Sequence, residues 1–185
     1  MEKKNAIRKK ALINRKKKYF EISSHFFDPL IQLLKKQKKN SIKTLSLYYP
    51  SYYEVNVLSL LQLIKKIKIK VLLPVTKLNN QMNFVKWKHL DPLKVNNFGM
   101  LEPCLASKPL VPDLMLVPLL AFDSDNNRLG YGKGFYDRFL NKFLKNKKKI
   151  TTIGVAFSFQ KYNKLPVSNF DIKLDYIITE KGVKK

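Results

Sequence analysis

Three glycines at alternate positions, Gly130, Gly132 and Gly134, form the stretch of the chain best suited to bind an anion. Glycine lets a ligand approach the backbone closely, so the N–H groups of this stretch can donate to phosphate oxygens. Lys133 and Arg128 would add full positive charges beside them. Because the same spacing also occurs in simple tight turns, the glycines alone leave a phosphate site and a structural turn both open.

The segments on either side of these glycines predict a strand before them and a helix after them. Residues 113–122 form a nearly unbroken apolar run of strand length, which is typical of a strand buried on both faces. After the glycines, apolar residues recur at helical spacing: Tyr136, Phe139, Leu140, Phe143 and Leu144. A strand that leads through a glycine turn into a helix directs N–H groups and the positive end of the helix dipole at one point. A phosphate chain is therefore the expected ligand of this turn.

The remaining periodic segments predict an α/β protein. Residues 42–49, 54–67 and 68–73 follow the order strand, helix, strand, which favours a βαβ unit and a parallel sheet. Further strands are predicted over residues 82–87 (or a hairpin there), 151–157 and 174–179, and further helices over residues 2–21 and 24–35. We expect one domain over residues 1–185, with a three-layer α/β/α fold and a mostly parallel, Rossmann-like central sheet.

The composition is typical of a globular protein from a reducing compartment. Hydrophobic residues make up 45% of the 185 residues and are spread along the chain, which argues against disorder. No apolar run is long enough to cross a membrane, and the charged N-terminus lacks the apolar core of a signal peptide. The single cysteine, Cys104, excludes an internal disulfide and favours a cytoplasmic location. We expect Cys104 to be a small packing residue.

The formal net charge of +24 is compatible with nucleic-acid binding. However, only four of the 37 cationic side chains are arginines, and specific nucleic-acid sites favour arginine. The lysines are spread over the whole chain, as a general bias in residue usage would produce. We therefore expect no specific nucleic-acid partner, whereas the positive field should attract anionic small molecules.

Residues 127–140, NRLGYGKGFYDRFL, closely resemble the signature of the 5-formyltetrahydrofolate cyclo-ligase family. The similarity extends upstream through the apolar run and downstream to the last predicted strand. It implies an enzyme that converts 5-formyltetrahydrofolate and ATP to 5,10-methenyltetrahydrofolate, ADP and phosphate, with Mg²⁺ as a cofactor. The partners would be these small molecules, including folates with a polyglutamate tail, and the protein would be a monomer or a homodimer.

The resemblance implies that the glycine stretch binds ATP. Its contacts would come from Arg128, Gly130, Tyr131, Gly132, Lys133, Gly134, Phe135 and Tyr136. Lys133, Arg128 and Tyr136 would be the catalytic side chains, with Tyr136 donating a hydrogen bond to the formyl oxygen or to a phosphate. Phe135 stands where many relatives carry tyrosine, so it can pack on a ligand but cannot donate a hydrogen bond.

Lys4 and Arg8 complete the ATP site that the resemblance implies. They are four residues apart in a predicted helix and therefore share one face. The family carries a similar Lys-x-x-Leu-Arg pattern that contacts ATP phosphates, and here Ile7 replaces the leucine. The density of lysines leaves Lys3 as an alternative to Lys4, and a solvated basic helix as an alternative to a binding helix.

Glu54, Tyr49 and Phe98 are the predicted folate contacts. The family has a glutamate where a strand ends and a helix begins, as at Glu54, and that glutamate contacts the pterin–aminobenzoate part of the folate. Tyr49 falls where the family lines the same pocket. From the residues alone, Glu54 is equally a helix N-terminal acid, and Phe98 either stacks on a flat heterocycle or belongs to the core.

Asp137 and Asp171 are the Mg²⁺ ligands that the resemblance implies, and oxygen ligands suit this hard cation. Asp171 is alternatively a turn residue, and Asp175 is an alternative metal ligand.

Two other functions stay open from the sequence. A basic RNA-associated module explains the charge but not the glycines, and another phosphate-handling enzyme on a similar scaffold explains the glycines without folate.

Overall fold

The protein is built on one seven-stranded sheet, seen in a computed structural model that describes residues 2–36, 42–104, 107–145 and 149–184. Its helices are α1 (Glu2–Lys18), α2 (Asp28–Lys36), α3 (Leu60–Ile64) and α4 (Phe135–Lys145). Its strands are β1 (Thr44–Ser46), β2 (Lys70–Lys77), β3 (Gln81–Lys86), β4 (Leu93–Val95), β5 (Leu101–Pro103), β6 (Leu114–Pro118), β7 (Ala121–Phe122), β8 (Arg128–Leu129), β9 (Thr151–Val155), β10 (Tyr176–Thr179) and β11 (Gly182–Lys184). The order across the main sheet is β11-β10-β9-β6-β1-β2-β3.

The interior of this sheet is parallel and its edges are antiparallel. Strands β10, β9, β6, β1 and β2 run in the same direction, and β3 and β11 are joined to β2 and β10 as hairpins. The predicted βαβ unit is confirmed, because β1 and β2 pair in parallel across a connection that contains α3. The hairpin alternative for residues 82–87 is also confirmed.

Hydrophobic clusters on both faces of the sheet give the predicted three layers. Along β6, Leu114 and Leu116 belong to one cluster and Met115 and Val117 to the other, as the alternation of side chains in a strand requires. Helices α2 and α3 cover the first cluster and α4 covers the second. The buried residues that these helices contribute are Leu30, Leu60, Ile64, Phe139 and Leu140. Leu144, the last residue of the predicted stripe, has its side chain outside the described residues.

The single long strand predicted over residues 113–122 is wrong. Strand β6 ends at Pro118, and β7 leaves the sheet to form a small hairpin with β8. A proline has no N–H to continue a ladder, so Pro118 ends the pairing with β9. The hairpin carries the chain to the glycines, and Ile7 of α1 packs against it through Ala121 and Leu129.

The helix predicted over residues 54–67 is also wrong in extent. A short 3₁₀ turn at Val57–Ser59 precedes α3, and the Asn56 side-chain oxygen accepts from the N–H of Leu58 at 3.1 Å. Asn56 therefore starts the helical segment, and Glu54 lies in the loop before it. The ends of other predicted elements shift by a few residues, and the small β4–β5 hairpin was not predicted. None of the described helices combines the length and the apolar character that crossing a membrane requires.

Candidate active site

A pocket of about 420 Å³ opens at the carboxyl ends of the parallel strands. From β1 the chain moves to β2 on one side, whereas from β6 it moves to β9 on the other. Such a reversal of strand order leaves a crevice in which α/β proteins bind ligands. Residues just beyond β1, such as Tyr49 and Glu54, line this pocket together with the turn from β8 to α4.

The turn between β8 and α4 has a backbone that only glycine adopts without strain. Gly132 has a φ of 102° and Gly134 a φ of 68°. In the described part of the chain, the N–H groups of residues 131–134 donate no hydrogen bond to another protein group. Residues 131–134 and the first residues of α4 line the pocket, so the turn has the properties of an anion site.

Helix α1 lies across this turn and brings two cations to the pocket. The Arg8 Nε donates to the Gly130 carbonyl oxygen at 2.8 Å, and the Lys4 Nζ lies 2.5 Å from the Asp171 Oδ2. A Cβ placed on Gly132 would lie 3.2 Å from the Arg8 Cζ, so the guanidinium rests directly on the turn. The two contacts fix the register of α1, and it is Lys4 rather than Lys3 that lines the pocket.

Arg128 and Asp137 form an ion pair on the floor of the pocket. Arg128 Nη2 donates to Asp137 Oδ1 at 2.7 Å, and the side chain of Arg128 is only 5% exposed. The Arg128 Nε is buried and has no hydrogen-bond partner among the described residues. A buried donor of this kind is costly unless a ligand or water satisfies it, so Arg128 suits an anionic ligand.

The two aspartates have the donor atoms that Mg²⁺ prefers. Asp137 Oδ1 accepts from Arg128 and from the N–H of Ile172, and Asp171 Oδ2 accepts from Lys4 and Ser168. Over the residues that the structure describes, Asp137 Oδ2 and Asp171 Oδ1 have no hydrogen-bond partner, and both side chains line the pocket. The residues therefore fit a hard cation held by two carboxylates, its other ligands being water or phosphate oxygens.

Burial raises the pKa of Asp171, but the hydrogen bonds from Lys4 and Ser168 outweigh burial and hold the pKa below its ordinary value. Asp171 is therefore ionised near neutral pH, as a metal ligand must be. Within the described ranges no group of three or more acidic, histidine or cysteine side chains forms a metal centre. Any cation here would depend on two protein carboxylates and on its other ligands.

Glu54 contacts the turn between β8 and α4 through Tyr131. Its carboxylate is buried, accepts from the Ser51 N–H at 2.9 Å through Oε2, and accepts from the Tyr131 hydroxyl at 2.5 Å through Oε1. Burial raises the pKa of Glu54, and the hydrogen bond from Tyr131, the charge of Arg15 and the contacts with Ser51 oppose that rise. The preceding residues Tyr52 and Tyr53 have positive φ values of 48° and 62°, and such strain is common at binding loops.

Aromatic side chains also line the pocket. Phe98, on the loop between β4 and β5, meets the ring of Phe135 edge to face at 5.3 Å between centroids. The Lys133 ammonium lies 5.6 Å from the centre of the Phe98 ring. Phe98 is half-buried and lines the pocket, so it is not a core residue.

Burial and the Glu54 charge raise the pKa of Tyr136, which therefore keeps its proton for donation.

The sequence model of the 5-formyltetrahydrofolate cyclo-ligase family matches residues 1–180. The chain belongs to this family. The 5-formyltetrahydrofolate cyclo-ligase of Mycoplasma pneumoniae is 32% identical over 180 residues, which cover 96% of this chain and 98% of that protein. The enzyme of the same name from Haemophilus influenzae is 32% identical over 145 residues, which cover 74% and 75%.

Solved structures of cyclo-ligase relatives share the fold. The 5,10-methenyltetrahydrofolate synthetase of Aquifex aeolicus matches with a TM-score of 0.72 and 31% identity, covering 98% of this chain and 92% of that one. The synthetase of Mycoplasma pneumoniae matches with a TM-score of 0.69 and 30% identity, covering 96% and 98%. The α/β prediction is therefore confirmed, and so is the prediction of an enzyme of the cyclo-ligase family.

The structure brings all predicted cyclo-ligase site residues to this one pocket. They are Lys4, Arg8, Tyr49, Glu54, Phe98, Arg128, Gly130, Tyr131, Gly132, Lys133, Gly134, Phe135, Tyr136, Asp137 and Asp171. The alternative metal ligand Asp175 lies elsewhere, where its Oδ2 accepts from the N–H and the hydroxyl of Thr152 at 2.7 and 2.9 Å. The roles of the pocket residues stay predictions, whereas their proximity is a finding.

Sequence reasoning missed two buried charged residues of the site. Glu102 lines the pocket and accepts from the Thr76 N–H and hydroxyl at 2.9 and 2.8 Å, and it lies in a segment already noted for Phe98. Arg15 is 1% exposed and reaches Tyr131. The available signal for Arg15 was an arginine in a lysine-rich stretch, in which Arg8 is the other arginine. The expectation that Cys104 packs in the interior is wrong, because it is exposed.

Proposed function

We propose that the protein catalyses the ATP- and Mg²⁺-dependent conversion of 5-formyltetrahydrofolate to 5,10-methenyltetrahydrofolate, with release of ADP and phosphate. Membership of the family supports the conversion. One observation of the structure supports the use of two substrates: a single pocket combines a cationic glycine turn with a buried carboxylate among aromatic rings. A nucleotide suits the cationic glycine turn, and a flat, amine-rich heterocycle suits the buried carboxylate and its aromatic neighbours.

The triphosphate would lie against the turn from β8 to α4. Free N–H groups of residues 131–134 would donate to phosphate oxygens, and Lys4, Arg8, Lys133 and Arg128 would offset the negative charge. These groups are already in place around the pocket, so little reorganisation is needed when the nucleotide binds. Preorganised donors of this kind stabilise the charge that spreads over a transferring phosphoryl group.

The folate would occupy the wall formed by Tyr49, Glu54 and Phe98. Glu54 would accept hydrogen bonds from amine groups of the pterin–aminobenzoate part, and Phe98 would pack on a flat ring. This arrangement would hold the formyl group against the nucleotide's terminal phosphate. Tyr136, which keeps its proton, would donate to the formyl oxygen or to that phosphate.

The reaction requires an amide oxygen to become a leaving group. The γ-phosphoryl group passes from ATP to the formyl oxygen, which breaks the bond to ADP and leaves the formyl carbon electron-poor. N10 of the same folate then attacks that carbon, and the five-membered ring closes. The carbon–oxygen bond breaks, phosphate departs with the former formyl oxygen, and the proton of N10 is released to solvent. Because N10 is tethered, the protein must position the reactants more than it must supply a nucleophile.

Asp137 and Asp171 would hold the Mg²⁺ ion. When bound, this cation neutralises phosphate charge and orients the phosphate oxygens. Arg128 would keep Asp137 in place through their hydrogen bond, and Lys4 would do the same for Asp171.

The cytoplasmic location, the single domain, the use of polyglutamylated folates and the choice between monomer and homodimer stay predictions.

The direct test follows absorbance at the methenyl product's band in purified protein supplied with 5-formyltetrahydrofolate. We expect product only when ATP and Mg²⁺ are both present, together with an equal amount of ADP. Product formation without ATP would contradict the phosphoryl-transfer mechanism. ATP hydrolysis that does not depend on 5-formyltetrahydrofolate would instead favour a different phosphate-handling enzyme.

A further inference from the structure

Arg15 is a buried cation on α1, a helix whose lysines are mostly exposed. It is 1% exposed, whereas its neighbours Lys16, Lys17 and Lys18 on α1 are exposed. Burying a guanidinium is costly unless its donors and its charge are compensated. The position of Arg15 therefore needs an explanation that the proposed phosphate contacts do not supply.

Arg15 contacts Tyr131, a residue that lines the pocket. Its Nη1 donates to the Leu119 carbonyl oxygen at 3.2 Å, its Nη2 donates to the Tyr131 hydroxyl oxygen at 2.6 Å, and its Cζ lies 5.6 Å from the centre of the Tyr131 ring. Within the described ranges, Arg15 forms no direct ion pair with a carboxylate. Within those ranges its hydrogen-bonded route to an acid therefore runs through Tyr131, and its charge also acts on Glu54 through space.

The Tyr131 hydroxyl, which accepts from Arg15, also donates a hydrogen bond to Glu54. Since the Tyr131 hydroxyl accepts from Arg15, its own proton is directed at Glu54 Oε1, 2.5 Å away. A cation that donates to a hydroxyl polarises it and strengthens the hydrogen bond that the hydroxyl donates in turn. Ser51 holds the other carboxylate oxygen, so both oxygens of Glu54 have fixed partners.

We propose that Arg15 is a positioning residue for the folate: acting through the Tyr131 hydroxyl, it keeps the Glu54 carboxylate ionised and correctly oriented in the pocket. This inference rests on the proposed function, in which Glu54 accepts from the folate. Tyr131 lies between Gly130 and Gly132, so the same contact ties the folate carboxylate to the turn proposed to bind ATP.

The charges around Glu54 set the sign of the expected pH effect. The titratable groups that face it are Arg15 from α1, Tyr131 from the turn, Tyr48 from the end of β1 and Tyr136 from α4. Burial raises the pKa of all three tyrosines, so they stay neutral near neutral pH. Glu54 is therefore the member of this group that titrates on the acid side.

Loss of Arg15 should make Glu54 harder to ionise. Burial already raises the pKa of Glu54, and the hydrogen bond from Tyr131 and the charge of Arg15 oppose that rise. Removing either one raises the pKa further, so less carboxylate is present at a given pH. The acid limb of kcat/KM for 5-formyltetrahydrofolate should then move to higher pH.

The test compares Arg15→Met with Lys16→Met, which removes an exposed charge from the adjacent position of α1. Arg15→Met should raise the KM for 5-formyltetrahydrofolate about tenfold, because a buried hydrogen-bonded carboxylate loses its support. It should also move the acid limb to higher pH and change the KM for ATP less than about twofold. Lys16→Met should keep the parental values in all three measurements.

Tyr131→Phe is the second variant, in case Arg15→Met does not fold. It removes the linking hydroxyl, keeps the ring, and should move the acid limb in the same direction. Arg15→Lys should restore only part of the folate affinity, because an ammonium lacks the fork of guanidinium donors. If Arg15→Met and Tyr131→Phe only lower the melting temperature and keep the parental acid limb and folate KM, Arg15 is structural and the inference is wrong.

The same experiment separates this inference from the proposed function. If the parent protein forms no product from 5-formyltetrahydrofolate and ATP, the proposed function fails on its own. Calorimetric titration with 5-formyltetrahydrofolate still tests Arg15 in that case, because it measures binding without turnover. Equal folate affinity for the parent and for folded Tyr131→Phe in that titration would overturn the role of the contact through Tyr131.

Discussion

Lys133 is the exposed cation of the glycine turn, and its ammonium lies over the ring of Phe98 at 5.6 Å. If it offsets charge on the transferring phosphate, Lys133→Ala should lower kcat at least about tenfold, a barrier change of about 1.4 kcal/mol. Single-turnover measurements with saturating ATP would give this value. The matched control is Lys142→Ala, since Lys142 is also exposed and lies 5.8 Å from the ring of Phe143, outside the pocket. An unchanged kcat for Lys133→Ala would contradict its phosphate contact.

The variant Asp137→Asn tests whether Asp137 binds Mg²⁺. Asp137→Asn keeps the size of the side chain and the acceptor for Arg128 but removes a charge from the pair of carboxylates. We expect the Mg²⁺ concentration for half-maximal activity to rise about tenfold or more. Asp125→Asn, on the exposed turn between β7 and β8, provides the same change of net charge away from the pocket. Saturation of Asp137→Asn at the parental Mg²⁺ concentration would exclude Asp137 as a ligand.

The proximity of single pocket residues could be predicted where those residues lie close together in the sequence. The glycines, Lys133 and Asp137 lie within a few positions of one another, so the sequence itself carries their arrangement. Arg15 was missed because its role depends on Tyr131, which is 116 residues away along the chain. Contacts of that separation are set by how α1 packs on the hairpin of β7 and β8, which periodicity does not reveal.

At the scale of elements, the conformation of the turn between β8 and α4 is as important as its charges. Gly132 has a φ of 102°, and Gly182 at the start of β11 has a similar φ of 108°. An alanine at either position would be strained, at a cost of about 1–3 kcal/mol in stability. Of these two positions, only Gly132 has an added Cβ that would also meet a pocket-lining side chain, Arg8, at 3.2 Å.

Gly132→Ala and Gly182→Ala should therefore lower the free energy of unfolding by similar amounts but differ in function. We expect Gly132→Ala to raise the KM for ATP at least about tenfold, because the turn and Arg8 must both shift. Gly182→Ala should keep the parental KM, since in the described part of the chain only its own sequence neighbours lie within 4 Å of its added Cβ. Denaturant unfolding and ATP titrations of both variants measure the two effects. Equal KM values would mean that the turn does not bind the nucleotide.

The lengths of the elements show where sequence patterns lose information. Residues 114–122 are an unbroken apolar run after Asp113, so nothing in their periodicity separates β6 from β7. Pro118 was the available sign of the break, and Leu120 then donates to the Leu129 carbonyl oxygen at 2.7 Å instead of continuing the main sheet. The order of the strands was not predicted either, because pairing of β6 with β1 and β9 is decided by distant segments.

At the scale of the whole molecule, the charge of +24 should raise the rate at which anionic ligands reach the protein. It should not decide which of these ligands the pocket binds. Both proposed substrates are anions, so a positive field raises their association rates. Screening has a Debye length of about 8 Å at physiological ionic strength, so added salt weakens the long-range attraction and leaves contacts inside the pocket largely intact. We expect kcat/KM for ATP to fall as NaCl is raised, with kcat nearly constant. A parallel fall in kcat would place the salt effect on the bound complex.

The same charge should bind RNA only without sequence preference. Lysines spread over the surface can neutralise phosphates, and such binding weakens steeply with salt. At about 0.15 M salt we expect two RNAs of equal length and unrelated sequence to bind with equal, weak affinity and to leave turnover of 5-formyltetrahydrofolate unchanged. Fluorescence anisotropy of labelled RNA and the absorbance assay in the presence of excess RNA measure these two quantities. Tight binding of one sequence but not the other would require a recognition surface on this protein, in addition to the pocket beside the glycine turn.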